Sequence, residues 1–170
     1  MISNIRGQMK LSFGMIFSIF LIILFISFAF VAIKKFLALG NLAQISGFAE
    51  NLQDDIDKAW KGTQSSQVKT YNLPSKIEYI CFADYSGYPG GYKGDYKELY
   101  SELKQIHQEY ENFFFYPIGS SEGLESKEIK HINIETITSN NNPLCFRNVE
   151  GKITLTIEKE YGEALVVIKK

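Results

Sequence analysis

Twenty-three consecutive residues, Leu11 to Ile33 (LSFGMIFSIFLIILFISFAFVAI), contain no Asp, Glu, Lys, Arg, His or Pro. At ~1.5 Å per residue such a run extends roughly 35 Å as a helix, more than the ~30 Å hydrocarbon core of a bilayer. Arg6 and Lys10 precede it and Lys34 and Lys35 follow it. The pattern predicts a membrane-spanning helix rather than a buried core helix. A cleaved secretory signal is the alternative. Its apolar region is usually about 7–15 residues with small residues behind it, whereas Lys34-Lys35-Phe36 stands here.

Charge is unevenly placed. The first 35 residues hold four basic groups and no acid, which leaves 14 basic and 19 acidic residues for the remainder. A mildly acidic remainder gives no reason to expect nucleic acid as a partner. The basic collar suits anionic lipid headgroups. Because both flanks are basic, the positive-inside rule discriminates weakly. Cys81 and Cys145, each in a strand-like segment, are either a disulfide, which needs an extracytoplasmic location, or two buried thiols acting as small hydrophobes. The preferred topology has a cytoplasmic N-terminus and an extracytoplasmic C-terminal domain in the cell membrane.

Helical periodicity continues past the apolar run. Ile45, Phe48, Ala49, Leu52, Ile56, Ala59 and Trp60 recur at spacings of three and four and predict one buried stripe. Asp54/Lys58 and Asp57/Lys61 stand four apart in the favourable acid-first order. Gly40 and Gly47 suggest a bend, and Gly62 with the polar residues after it predicts the end. Beyond that the period becomes two. Val68–Leu73 and Lys76–Asp84 predict strands. The loop Tyr85–Gly94 (YSGYPGGYKG) follows, then a helix over Asp95–Asn112 with Asp95 and Glu98 as a capping box, whose apolar residues Tyr96, Leu99, Leu103, Ile106, Tyr110 and Phe113 keep a three-four spacing. FFFY before Pro117 and His131–Thr138 read as strands. Leu144–Asn148, Lys152–Glu160 and Ala164–Ile168 predict a three-stranded antiparallel meander. The expected class is α+β: a long N-terminal helix packed on a mainly antiparallel sheet, with one additional helix. The expected divisions are a cytoplasmic segment 1–10, a transmembrane helix 11–33, an amphipathic extension 34–62 and a head domain 63–170.

Residue patterns that carry chemistry are sparse. His107 and His131 are the only histidines, and neither stands in a metal-ligand spacing, so no metal or cofactor is expected. Gly119-Ser120-Ser121-Glu122-Gly123 has turn composition and is not a nucleophile elbow. The glycines of 85–94 lack the Gly-Lys-Ser/Thr of a phosphate loop. The chain reads as a non-enzyme. Tyr85, Tyr88 and Tyr92 form a candidate partner-binding loop, because tyrosine supplies contact area at low entropy cost; the alternative is a surface loop packed on its own aromatics.

Arg6-Gly7-Gln8 stands directly before the apolar run. A charged residue, Gly, Gln and a long hydrophobic helix together resemble the class III signal peptide of archaeal type IV pilins. The resemblance covers this motif and the layout of anchor, amphipathic helix and β-rich head. It implies cleavage by a prepilin-type peptidase between Gly7 and Gln8, removal of residues 1–7, and self-association or assembly with other pilin-like subunits through the apolar helix. Two positions depart from the family: Ser12 stands where its acidic residue is usual, and Lys10 places a charge two residues earlier. The expected function is thus a structural subunit or minor component of a pilus-like filament. The alternative is an uncleaved single-pass membrane protein with an extracytoplasmic partner-binding domain.

Overall fold

The computed structural model describes residues 13–86 and 91–170. They form ten elements in the order α1 (Phe13–Lys61), β1 (Ser65–Asn72), β2 (Tyr79–Phe82), α2 (Lys97–Ile106), β3 (Phe113–Tyr116), β4 (Ser126–Lys127), α3 (Ile134–Ile137), β5 (Leu144–Arg147), β6 (Lys152–Lys159) and β7 (Val167–Lys169). The chain divides into two compact units, one up to Leu39 and one from Gly40 to Lys170. In the first unit the described residues are all helical, and the large apolar side chains from Phe13 to Leu39 are exposed.

The second unit carries the α+β head. The apolar stripe of α1 is buried at Ile45, Phe48, Ala49, Leu52, Ile56 and Ala59. Phe48 shows how that face is used: its ring lies 5.3 Å from Tyr71, 6.1 Å from Phe113 and 6.0 Å from Phe115, so one side chain joins the helix to both sheets. Trp60 departs from the stripe, being 36% exposed. The helical assignment runs through Gly40 and Gly47 without a break, because a helical glycine costs only about 1 kcal/mol and leaves the ladder intact. After Lys61 the helix stops at Gly62, and Lys159 from β6 donates to the carbonyls of Trp60 and Gly62, supplying the cation that a helix C-terminus favours.

Strand order is β1-β6-β7 in the first sheet and β4-β3-β2-β5 in the second, and every ladder is antiparallel. The expected meander is corrected: β6 and β7 pair, but β5 pairs with β2 in the other sheet. A tight turn does join β5 to β6, with Glu150 and Gly151 both at positive φ and reciprocal backbone bonds between Val149 and Lys152. Beyond that turn the strands diverge, because Leu144 and Phe146 are claimed by the β2 ladder and Ile153, Leu155 and Ile157 lie opposite β1.

The second sheet is covered on both faces. Ile80, Phe82, Phe113, Phe115, Leu144 and Phe146 join the main core, whereas Cys81, Phe114 and Cys145 form a smaller cluster with Leu103 of α2. This two-sided burial explains the unbroken FFFY run at β3. Helix α2 is shorter than expected. Its N-cap is Tyr96 with no side-chain cap bond, and Asp95 donates its backbone N–H to Asn141 instead of capping. Tyr110 and Phe113, placed by periodicity on the helix stripe, lie beyond its end, since the chain turns at Gln108–Glu111 and Phe113 enters the β3 ladder. His131–Thr138 is likewise no strand. Asn133 accepts from Thr136 N–H and opens the single turn α3, and Ile132 makes only an isolated bridge to Val166.

Candidate functional site

Cys81 and Cys145 occupy directly opposed positions on β2 and β5, with Cα atoms 4.1 Å apart, and are joined as a disulfide. The spacing is close to that of a non-hydrogen-bonded antiparallel pair, where side chains project toward each other. Both residues are fully buried beneath α2. The two-thiol alternative is thereby replaced by a cross-strand bridge.

The tyrosine loop is divided. Tyr85 points into the head: its hydroxyl donates to the Tyr100 carbonyl at 3.0 Å and its ring packs on Tyr100, His107 and Phe114. Burial, then the neighbouring Tyr100, pushes its hydroxyl well above the usual tyrosine range. Tyr92 is 62% exposed. Tyr88 lies outside the described residues, as do Arg6, Gly7, Gln8, Lys10 and Ser12.

Both ends of this loop are held from one place. The side chain of buried Asn142 accepts from Asp84 N–H and donates to the Asp84 carbonyl, while its backbone exchanges two hydrogen bonds with Lys93. Next to it, Asn141 accepts from Asp95 N–H. Gly94 sits at φ +83°, and a Cβ there would lie 1.9 Å from the Asn141 side-chain oxygen. Glycine is required by both backbone and space. Periodicity could not reveal this clasp, because asparagines 140–142 carry only a turn signal.

Charged side chains of α1 are drawn to tertiary partners rather than to the helical pairs expected. Lys58 bonds to Asp55, not to Asp54. Asp55 also receives the Tyr71 hydroxyl at 2.9 Å and Lys69 at 3.3 Å. Burial alone would raise the Asp55 carboxyl, but the bonds from Tyr71, Lys69 and Lys58 outweigh it and hold it below the usual range. Asp57 turns away from Lys61 to accept from His131 at 2.9 Å and Gln53 at 2.7 Å, which lowers its pKa, His131 contributing most. His131 stacks on Trp60 as well. His107 packs on Tyr85 and Phe114.

Among the described residues no group of three or more His, Cys, Asp or Glu side chains is placed to hold a metal ion. Helix α1 is long and apolar enough to cross a membrane, with a mean hydropathy of 3.0 over its most apolar window and none of that window buried. No protein family, curated protein or solved structure matches this chain.

Proposed function

We propose that this chain is a non-enzymatic, pilin-like surface protein, anchored by α1 and assembled with other subunits as a structural or minor component of a filament. The observation that carries the reading is the division of one helix into two characters. Up to Leu39 its apolar side chains face outward, and from Ile45 the same helix supplies the core of the head. An exposed apolar helix needs lipid or other helices around it, and the small residues Gly14, Ser18, Ser27, Ala29 and Ala32 permit close approach. Ser18 and Ser27 donate back to Gly14 and Ile23 carbonyls, so their hydroxyls are satisfied within the helix. The buried disulfide favours an oxidising, extracytoplasmic setting for the head.

Mass spectrometry of the mature N-terminus from native membranes tests the proposal. The expected chain begins at Gln8, after cleavage by a prepilin-type peptidase; an intact Met1 or Ile2 overturns it. Ser12 and Lys10, at positions where the pilin pattern differs, favour a second reading, an uncleaved single-pass protein whose head binds a partner. The same measurement separates the two.

A further inference from the structure

His131 is held by α1 through both an edge and a face of its ring. Nδ1 lies 2.9 Å from Asp57 Oδ1, and the ring stacks on the Trp60 indole with centroids 3.8 Å apart and planes 4° from parallel. A carboxylate only accepts, so Nδ1 carries the proton it donates and, in the neutral ring, Nε2 is the basic nitrogen. Nε2 has no hydrogen-bond partner among the described residues. The side chain is 33% exposed, so a proton from solvent can reach it.

Three parts of the head meet at this ring. Gln53 of α1 donates to the same Asp57 oxygen at 2.7 Å, accepts from the Lys130 N–H and donates to the Lys130 carbonyl. On the other side the His131 carbonyl accepts from Val166 N–H, and Trp60 donates to the Ala164 carbonyl. The end of α1, the segment before α3 and the approach to β7 are thereby tied together. Asp57 is the charged group bonded to the ring, and Lys61 on the same helix acts on Asp57 through its charge. Lys130 stands exposed beside His131 in the chain, and residues 164–166 add no charge.

Both ring contacts strengthen when His131 takes a second proton. The bond to Asp57 becomes charge-assisted, and the indole face attracts a cation. The bond from His131 is also the first cause holding the Asp57 carboxyl below its ordinary 3.8, so the carboxylate stays charged through the range in which histidine titrates. We propose that His131 is a proton-operated latch that, when charged, fixes the C-terminal end of α1 to the rest of the head more firmly than when neutral. The added hold is present in mild acid and is lost as pH rises through the histidine range. Further acidification removes it only where Asp57 itself is protonated.

Trp60 is the only tryptophan of the chain, so its emission reads the stacked ring directly. A cationic imidazole quenches an excited indole more than a neutral one. Emission of the full chain in detergent micelles should fall along one sigmoid between about pH 8 and pH 5. His131→Asn, which accepts the left-handed backbone at φ +64°, should abolish that step, whereas His107→Gln should leave it. In denaturant titrations at about pH 8 and about pH 5.5, the folding constant of the parent should gain about fivefold in acid relative to His131→Asn. Asp57→Asn keeps an acceptor without the charge, so it should retain the quenching step and reduce the gain to about twofold. Emission indifferent to pH, a step that survives in His131→Asn, or an acid gain in the parent no larger than in either variant overturns the proposal.

Discussion

The indole of Trp60 lies parallel to the imidazole of His131, ring centroids 3.8 Å apart and planes within 4°, and its Nε1–H donates to the Ala164 carbonyl at 3.1 Å. Trp60 is therefore a clamp over the end of α1, tying it to the segment before α3 and the approach to β7. Trp60→Ala should cost about 2 kcal/mol, one stacked pair and one hydrogen bond, less than removal of a fully buried tryptophan. Trp60→Phe should recover the stacking part only. Chemical denaturation of the full chain in detergent, followed by the head's near-ultraviolet signal, measures both.

Asp55 and Asp57 make the head acid-sensitive in a defined direction. Both folded pKa values lie below the ordinary 3.8. Their stabilisation is thus complete above about pH 4 and is lost as pH falls through the folded values. Asp55→Asn should flatten the acid limb of a stability-against-pH curve. Asp55→Ala should in addition cost about 1–3 kcal/mol near neutrality, because the Tyr71 hydroxyl and Lys69 lose their shared acceptor.

The Cys81–Cys145 bridge closes 64 residues of chain. A chain-entropy argument gives it about 4 kcal/mol of stabilisation. The double variant Cys81→Ala/Cys145→Ala should lose roughly that amount in denaturant titration. Because both sulfurs are buried under α2, a reductant should leave the native bridge intact and cleave it only once the head is unfolded. Thiol labelling after reductant exposure, with and without denaturant, separates those states.

Gly94→Ala should open the clasp on the tyrosine loop. An alanine Cβ collides with Asn141 and the left-handed backbone adds strain, for a cost of about 2 kcal/mol or more. Limited proteolysis should then cut within residues 85–93 faster than in the parent chain, with cleavage in β6 unchanged. Asn142→Ala should give the same pattern, since it removes the side-chain bonds to Asp84.

How much was legible in the residues depended on the range of the interaction concerned. The stripe Ile45 to Ala59, the end of α1 at Gly62 and the strands at β1, β2, β5 and β6 follow from local periodicity and turn chemistry, and all are present near their expected positions. His131–Thr138 misled because its alternation coincides with an Asn133 cap that starts a helical turn. The spacing that puts Tyr110 and Phe113 on α2 is overridden by the turn at Gln108–Glu111 for the first and by the β3 ladder for the second. Of the candidate contact residues, Tyr85 reads the same as Tyr92 in sequence, yet one is anchored inside the head and the other is exposed.

The amino-acid sequence by itself determined that the first helix is too apolar to stand in water, that its second half has a face to bury, and that an α+β head covers that face. These are consequences of hydrophobic patterning, which is written within a few residues and is satisfied by any apolar surface that covers it. Tertiary structure alone decided that β5 leaves β6 for β2, that Cys81 meets Cys145, that Asp57 chooses His131 over Lys61, and that Asn142 closes the tyrosine loop. Each of those choices matches groups 58 to 74 residues apart, and only the folded chain brings such groups within bonding distance.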